Sequence, residues 1–254
     1  MAILYQFLLR LTFGLAVAMA LTSPRWVTSG FYRNHLYVAL GLTTLAGLAG
    51  LSAALTWWPA LVAAVASYLG AICWLYEKKT AGIATLWIVA GFSVLGCWLA
   101  PELVPGSTTM GQSSLTELVR SISATTSGLG LGLTTAAMLL GHWYLNTPGM
   151  QLLPLRRLLL FSALALGTHA IICAAGLTNQ IVTVNDFTVT DWLLVVLRWS
   201  FGMIGTMILI ALAWQTLRIP NTQSATGILY VGVLAVFTGE LAALLLSAQT
   251  TFPL

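Results

Sequence analysis

The sequence has very few charged residues. Only 6% of its 254 residues are Asp, Glu, Lys or Arg, whereas 59% are hydrophobic. An ordinary soluble domain carries about 25% charged residues, so this composition excludes a soluble core and predicts a protein whose first partner is the lipid bilayer. The ten basic residues are spread along the chain and form neither a patch nor a tail. The net charge of +4 therefore does not indicate a nucleic-acid partner.

Cysteine and the motifs of soluble enzymes are also scarce. Cys73, Cys97 and Cys173 each fall within an apolar stretch, and no CxxC or Cys/His spacing is present. We interpret them as small buried side chains. The sequence contains no Gly-x-Ser-x-Gly, no HExxH and no Walker loop. Thr126 and Ser127 have no His or Asp in register and are assigned to a helix face, so the sequence predicts no metal site.

Long apolar runs fill most of the chain. A membrane-spanning helix needs about 20 mostly apolar residues, and eight stretches meet this requirement. The predicted spans are 3–22, 35–55, 58–76, 82–100, 122–145, 155–178, 192–216 and 225–247. In the fifth span, Gly128-xxx-Gly132 predicts a face that a neighbouring helix approaches closely. The linkers are too short for a second domain, so we expect a single all-α transmembrane domain over 1–254, a polytopic bundle of eight helices.

The basic residues in the loops predict an orientation. Lys and Arg concentrate in loops on the cytoplasmic side of a membrane. Seven of the ten lie in the loops after the first, third, fifth and seventh spans, one lies in the other set of loops, and two lie within spans. The seven are Arg25, Arg33, Lys78, Lys79, Arg156, Arg157 and Arg218. This bias predicts a multi-pass protein of the cell inner (plasma) membrane with both termini outside.

Four ionisable residues interrupt the predicted spans: Arg10, His169, Arg198 and Glu240. At a helical rise of about 1.5 Å per residue they lie about 9 to 13 Å below the outer surface, in one layer. An ionisable side chain at that depth is unfavourable in lipid and must face protein or a cavity. One interpretation is a structural clasp, in which Glu240 pairs with Arg198, His169 bonds a backbone carbonyl and Arg10 reaches the surface.

The other interpretation is a ligand site. Two Arg and one Glu leave an excess positive charge, which favours an anion, a polar headgroup or a protonatable site. Trp199 follows Arg198 directly, and Phe201 and Phe237 are near in sequence, so these rings would offer flat apolar walls. A quinone headgroup suits such a site, because its carbonyls accept hydrogen bonds from Arg or His and a carboxylate exchanges its protons.

This second interpretation assigns roles to five residues. The proton-handling, catalytic roles fall to Glu240 and His169, and the substrate-binding roles to Arg198, Arg10 and Trp199. Quinone is then the one cofactor expected.

A haem is the alternative that the histidines raise. His142 ends the fifth span and His35 begins the second, near the opposite surface. Two axial His ligands must meet one iron at similar height, and His142 lies about 10 Å from His169 along the membrane normal. His35 with His142 remains possible at the edge of the hydrocarbon, although aromatic residues around them are typical of an interfacial belt. We therefore expect no haem and no metal.

Two short segments resemble a known family. Leu197-Arg198-Trp199 lies near the start of the seventh span, and Thr238-Gly239-Glu240-Leu241 lies in the eighth. With eight spans and both termini outside, the chain resembles the membrane anchor subunits of DMSO-reductase-type complexes, within the polysulfide-reductase-like group. The resemblance implies a subunit that oxidises or reduces quinones, hands electrons to an iron–sulfur partner and holds no haem. It carries over to Arg198 and to the Gly239-Glu240 position.

Three hypotheses stay open at this point. The first is a quinone- or quinol-interacting anchor of a respiratory-type complex, either non-catalytic or the quinol-oxidising subunit of a larger oxidoreductase, which needs partner redox subunits. The second is a transporter for a small solute or proton; broken helices and a clear internal repeat, which often mark transporters, are not evident in the sequence. The third is a structural or assembly subunit in which Glu240 and Arg198 form the clasp.

Overall fold

A computed structural model describes residues 1–100, 114–147, 149–183, 188–219 and 221–248. Throughout these residues the chain forms helices and turns and no strand. The helices are α1 (Ala2–Leu21), α2 (Ser29–Ser52), α3 (Trp58–Leu75), α4 (Lys79–Leu99), α5 (Ser114–Asn146), α6 (Leu153–Thr183), α7 (Val189–Leu197), α8 (Thr206–Thr216) and α9 (Thr222–Leu246). A π-helical segment (Arg198–Gly205) joins α7 to α8, and we call the continuous helix Val189–Thr216 the α7–α8 rod.

Seven helical stretches in the described residues are long and apolar enough to cross a membrane, judged by length and composition. They are α1, α2, α3, α4, α6, the α7–α8 rod and α9. The expectation of an all-helical protein with many membrane-type helices is therefore confirmed. The remaining predicted span, 122–145, lies within α5, which is 33 residues long but is not among the seven.

The first helix lies in the middle of the bundle. It packs against α2, α4, α5 and α9, and 78% of its apolar stretch is buried, against 33 to 56% for the other six. Protein therefore surrounds α1 on most sides. A helix in this position can carry a charged residue such as Arg10 without presenting it to lipid.

Helices α1 and α5 approach closely because glycine faces glycine. A Cβ atom at Gly14 would lie 1.9 Å from the Gly128 carbonyl oxygen, and one at Gly132 would lie 2.1 Å from the Gly14 carbonyl carbon. This geometry confirms the close-approach face predicted from Gly128-xxx-Gly132 and identifies Gly14 as its partner. The backbone contact fixes the height of α1 against α5, and it thereby brings Arg10 beside Ser127.

Gly14→Ala should destabilise the bundle, since the added methyl group would overlap backbone that has no side chain to move aside. Overpacking a filled interior costs about 1 to 3 kcal/mol, and backbone overlap places this change at the upper end. Gly41→Ala is the matched control, because nothing lies within 4 Å of a Cβ at that position. Unfolding in mixed detergent micelles, followed by circular dichroism, measures both; equal stability of the two variants would contradict the close crossing.

Candidate functional site

Glu240 of α9 is held by two donors from other helices. Its Oε1 lies 2.7 Å from Nη1 of Arg10, and its Oε2 accepts a hydrogen bond of 2.6 Å from the Ser127 hydroxyl. Arg10 Nη1 also lies 3.4 Å from Ser127 Oγ. The Glu240 side chain is 6% exposed and that of Arg10 14%. Both carboxylate oxygens therefore have partners, as burial of a charge requires.

Arg198, the first residue of the π segment, is buried beside a histidine and a cysteine of α6. Its Nη2 donates to His169 Nε2 at 2.9 Å and to Cys173 Sγ at 3.0 Å. A guanidinium can only donate, so Nε2 must accept, and the imidazole is neutral with its hydrogen on Nδ1. That Nδ1 lies 3.0 Å from Thr126 Oγ1, whose own hydroxyl donates to a backbone carbonyl.

Two consecutive residues of α5 join these groups into one polar cluster. Thr126 contacts His169 and its neighbour Ser127 contacts Glu240. The sequence assigned both hydroxyls only to a helix face, and it assigned Cys173 only to packing. Their positions in the sequence could have identified them. Thr126 and Ser127 fall in the same layer as the four ionisable residues. Cys173 follows His169 by one helical turn, so the expectation that no Cys/His spacing is present was wrong.

A second glycine crossing positions the two charged ends of this cluster. A Cβ at Gly239 would lie 2.3 Å from the Gly202 Cα atom, so α9 touches the π segment backbone to backbone. Gly239 precedes Glu240 directly, and Gly202 lies about one turn after Arg198. Segments of π-helix are rare and often occur at functional sites, and no feature of the sequence indicated this one.

The cluster carries an uncompensated positive charge. Within the described ranges, Arg10 and Glu240 form the one ion pair whose nitrogen and oxygen atoms lie within 4 Å of each other. No carboxylate oxygen of these residues lies within 4 Å of the Arg198 guanidinium. The nearest partners of Arg198 are a neutral imidazole and a sulfur atom. Two guanidinium groups and one carboxylate leave one positive charge, located at a residue that is 4% exposed.

The structure corrects the expected pairing of charges. Glu240 pairs with Arg10, so the clasp between Glu240 and Arg198 is wrong, as is the expectation that Arg10 reaches the surface. His169 bonds Thr126 and Arg198 through its two ring nitrogens rather than a backbone carbonyl. The reason is the central place of α1, which brings Arg10 to α9. The four ionisable residues are nevertheless gathered in one cluster, as their common depth predicted.

The aromatic residues lie differently from the expected walls. Trp199 packs with Val195 and Leu246, and its indole nitrogen is buried without a hydrogen-bond partner in the described part of the chain. Phe201 is 59% exposed on the surface of the bundle, and Phe237 makes an edge-to-face contact with Phe7. The prediction that Phe201 forms a wall of the site is therefore wrong. Trp199 remains the aromatic residue nearest to Arg198 along the chain.

The two other histidines are held by separate neighbours. His35 is buried against the rings of Phe31 and Trp143. His142 is exposed and lies 3.4 Å from the Tyr230 hydroxyl. The structure thus places these two imidazoles in different contacts.

The Arg198 side chain joins the π segment to α6. The closer backbone contacts between α6 and the α7–α8 rod are made by α8. At the level of Arg198 the two helices meet through side chains: Arg198 reaches His169 and Cys173, and Leu177 of α6 packs against the cluster of Val195 and Leu246. Because Arg198 is only 4% exposed, a ligand that reached the guanidinium would have to displace side chains around it.

No family model, curated protein or solved structure matches this chain. The resemblance to DMSO-reductase-type anchors therefore rests on the two short segments around Arg198 and Glu240.

Proposed function

We propose that this protein is an integral membrane subunit that binds quinone or quinol and anchors a respiratory-type redox complex. The observation that carries the proposal is the buried Arg198 guanidinium, which has no carboxylate partner within the described residues. Protein interiors rarely keep such a charge, and those that do usually use it. Its N–H groups would donate to a quinone carbonyl oxygen, a neutral acceptor that is soluble in hydrocarbon.

Lateral access is part of the proposal. A quinone moves within the bilayer, so it has to enter from the side of the bundle rather than from water. Leu193 and Val196, on the α7 turns before Arg198, are exposed on that side. The ring would reach Arg198 by displacing the partly buried side chains of Leu177 and Leu194, while the isoprenoid tail remained in lipid.

Glu240 and His169 are the groups that would handle protons. Oxidation of a quinol releases two protons and two electrons. The Glu240 carboxylate can accept one proton through the Ser127 hydroxyl. The Nε2 lone pair of His169 is occupied by an Arg198 N–H, so the imidazole can accept the other proton once the ligand takes that N–H. The electrons would pass to the redox centres of a partner subunit, which this proposal requires.

We further propose that α5 completes an eight-helix bundle with both termini outside, in the cell inner (plasma) membrane. Helix α5 packs against α1, α6 and α9, and many of its hydroxyls are buried in protein. A spanning helix enclosed in this way tolerates Ser and Thr that a lipid-exposed helix would not. Seven of the eight Lys and Arg of the loops then lie on the cytoplasmic side.

Reporter fusions test this orientation. Alkaline phosphatase, which is active only outside the cytoplasm, should be active when fused after Ser247. Fused after Lys79, between α3 and α4, it should be inactive, and a cytoplasmic fluorescent reporter should give the opposite pattern. Activity at both positions, or the reverse pattern, would contradict the orientation.

Quinone extraction tests the function. The protein, purified in mild detergent from membranes that contain quinone, should yield bound quinone well above that carried by the co-purified lipid. An unrelated membrane protein from the same membranes gives the background. A visible spectrum of the same sample would reveal a Soret band if a haem were bound. Quinone at the background level would contradict the proposal.

One observation favours a structural role as the second candidate. The pair of Arg10 and Glu240 joins α1 to α9 through a charge-assisted contact of 2.7 Å, and this contact alone would hold an assembly subunit together. A structural role explains this pair, but it does not explain why Arg198 is retained. The two candidates therefore differ in what they predict for Arg198.

A further inference from the structure

A second candidate ligand site lies where α1 ends and α6 begins. A shallow recess of about 10 Å³ there is lined by Leu21, Ser23, Trp26, Arg157, Leu158 and Phe161, among others. The hydroxyl of Ser23 and the guanidinium of Arg157 make part of its lining polar, and the remaining lining is largely apolar. A ligand larger than a water molecule would therefore lie against the rim of the recess. The recess lies far along α1 from Arg10 and shares no residue with the polar cluster.

Arg157 is held in place at the rim of this recess. Its guanidinium carbon lies 5.0 Å from the centre of the Trp26 ring, a cation–π contact that orients the group while leaving its N–H donors available. Within the described residues no carboxylate lies within 4 Å of it. Ser23 Oγ accepts from the Arg25 amide at 3.4 Å, so its O–H is available to donate. Arg157 and Ser23 therefore each have a hydrogen-bond donor available at the recess, and an external ligand would have to supply the acceptor.

The position of the recess along the helices indicates the kind of acceptor. Helix α1 ends at Leu21 and α6 begins at Leu153, and the ends of apolar helices are the level at which lipid phosphates lie. A phosphodiester is the acceptor that Arg binds most specifically. Below it, the glycerol and acyl chains of a lipid would meet the exposed Leu21 and the partly exposed Phe161. The order of polar and apolar walls thus matches the order of groups in a phospholipid.

We propose that one phospholipid binds against the rim of this recess, with its phosphate on Arg157 and Ser23 and its acyl chains on Phe161. The lipid is anionic, because Arg25 and Arg156 add positive charge around the same rim. Arg156 is fixed by its own hydrogen bond of 2.7 Å to the Leu217 carbonyl. It therefore contributes positive electrostatic potential at the rim rather than a second contact with the phosphate. A choline or ethanolamine headgroup would bring a cation against these residues.

Native mass spectrometry of the full chain, titrated with phosphatidylglycerol or with phosphatidylcholine, tests the site. The wild type should retain one phosphatidylglycerol more tightly than any later one, and it should show no such first site for phosphatidylcholine. Arg157→Gln should weaken that first site at least about tenfold, since it removes a charge-assisted hydrogen bond. Phe161→Ala should weaken it less.

Arg218→Gln is the matched control. Arg218 is exposed in another loop, and its substitution removes the same charge. General attraction of basic residues to anionic lipid contributes only about fivefold for each residue, so this variant should show at most that. Circular dichroism checks that each variant is folded. An equal loss in both Arg variants would reduce the effect to surface charge, and an unchanged first site in Arg157→Gln would overturn the proposal.

Discussion

Glu240→Gln is expected to be among the most destabilising single substitutions in this chain. The substitution leaves the Arg10 guanidinium buried without a counter-charge, although an amide can still reach Ser127. Removing one partner of a buried ion pair costs about 3 to 5 kcal/mol. The free energy of unfolding in mixed detergent micelles measures the effect. Glu77→Gln makes the same chemical change at an exposed loop residue and should alter stability by less than about 0.5 kcal/mol.

The double variant shows whether the loss comes from the unpaired charge. Replacing Arg10 and Glu240 together by Met removes both charges and keeps similar volume, and such replacements of buried pairs are often neutral or stabilising. Most of the stability lost in Glu240→Gln should therefore return. If the double variant were as unstable as the single one, the pairing of Arg10 with Glu240 would not be the interaction that holds α1 to α9.

Arg198→Met should behave in the opposite way. The substitution removes hydrogen bonds to two neutral partners, worth about 1 kcal/mol each, and it also removes a buried charge that no carboxylate balances. We expect the free energy of unfolding to stay within about 1 kcal/mol of wild type or to rise, as is common when a functional group is replaced by an apolar one. Quinone binding, in contrast, should be lost.

Arg218→Met is the matched control for this substitution. It removes an arginine that is exposed at the end of the α7–α8 rod, so both stability and quinone binding should be retained. A fall in stability of Arg198→Met comparable with that of Glu240→Gln would show that Arg198 belongs to the structural contacts of the bundle. Its assignment to ligand binding would then be wrong.

The sequence predicted the helices well, because apolar length is a one-dimensional property. Both ends of each of the seven apolar helical stretches lie within a few residues of the ends of a predicted span, with two exceptions. Helix α2 begins earlier than predicted, and α6 ends later. The fifth span was predicted at 122–145 and coincides with a helix whose Ser and Thr residues face its neighbours. Its lower apolarity reflects that enclosure, which the sequence alone does not show.

The site was predicted in its members but not in its contacts. The sequence predicted that Arg10, His169, Arg198 and Glu240 lie in one layer, because the depth of a residue in a helix follows from the number of residues and the rise per residue. The sequence does not show which helices are neighbours, and for that reason Glu240 was predicted to pair with Arg198 rather than with Arg10. Helix rotation is equally hidden, and for that reason Thr126 and Ser127 were not recognised as the link between the two halves.

The affinity of the purified chain for a short-chain quinone tests most directly whether Arg198 holds the ligand. Equilibrium titration of wild type, Arg198→Met and Arg218→Met would give three dissociation constants under one set of conditions. Wild type and Arg218→Met should bind alike, whereas Arg198→Met should bind at least about tenfold more weakly while remaining fully folded. Equal affinity of all three proteins would contradict the claim that Arg198 is kept in the membrane interior to hold a quinone.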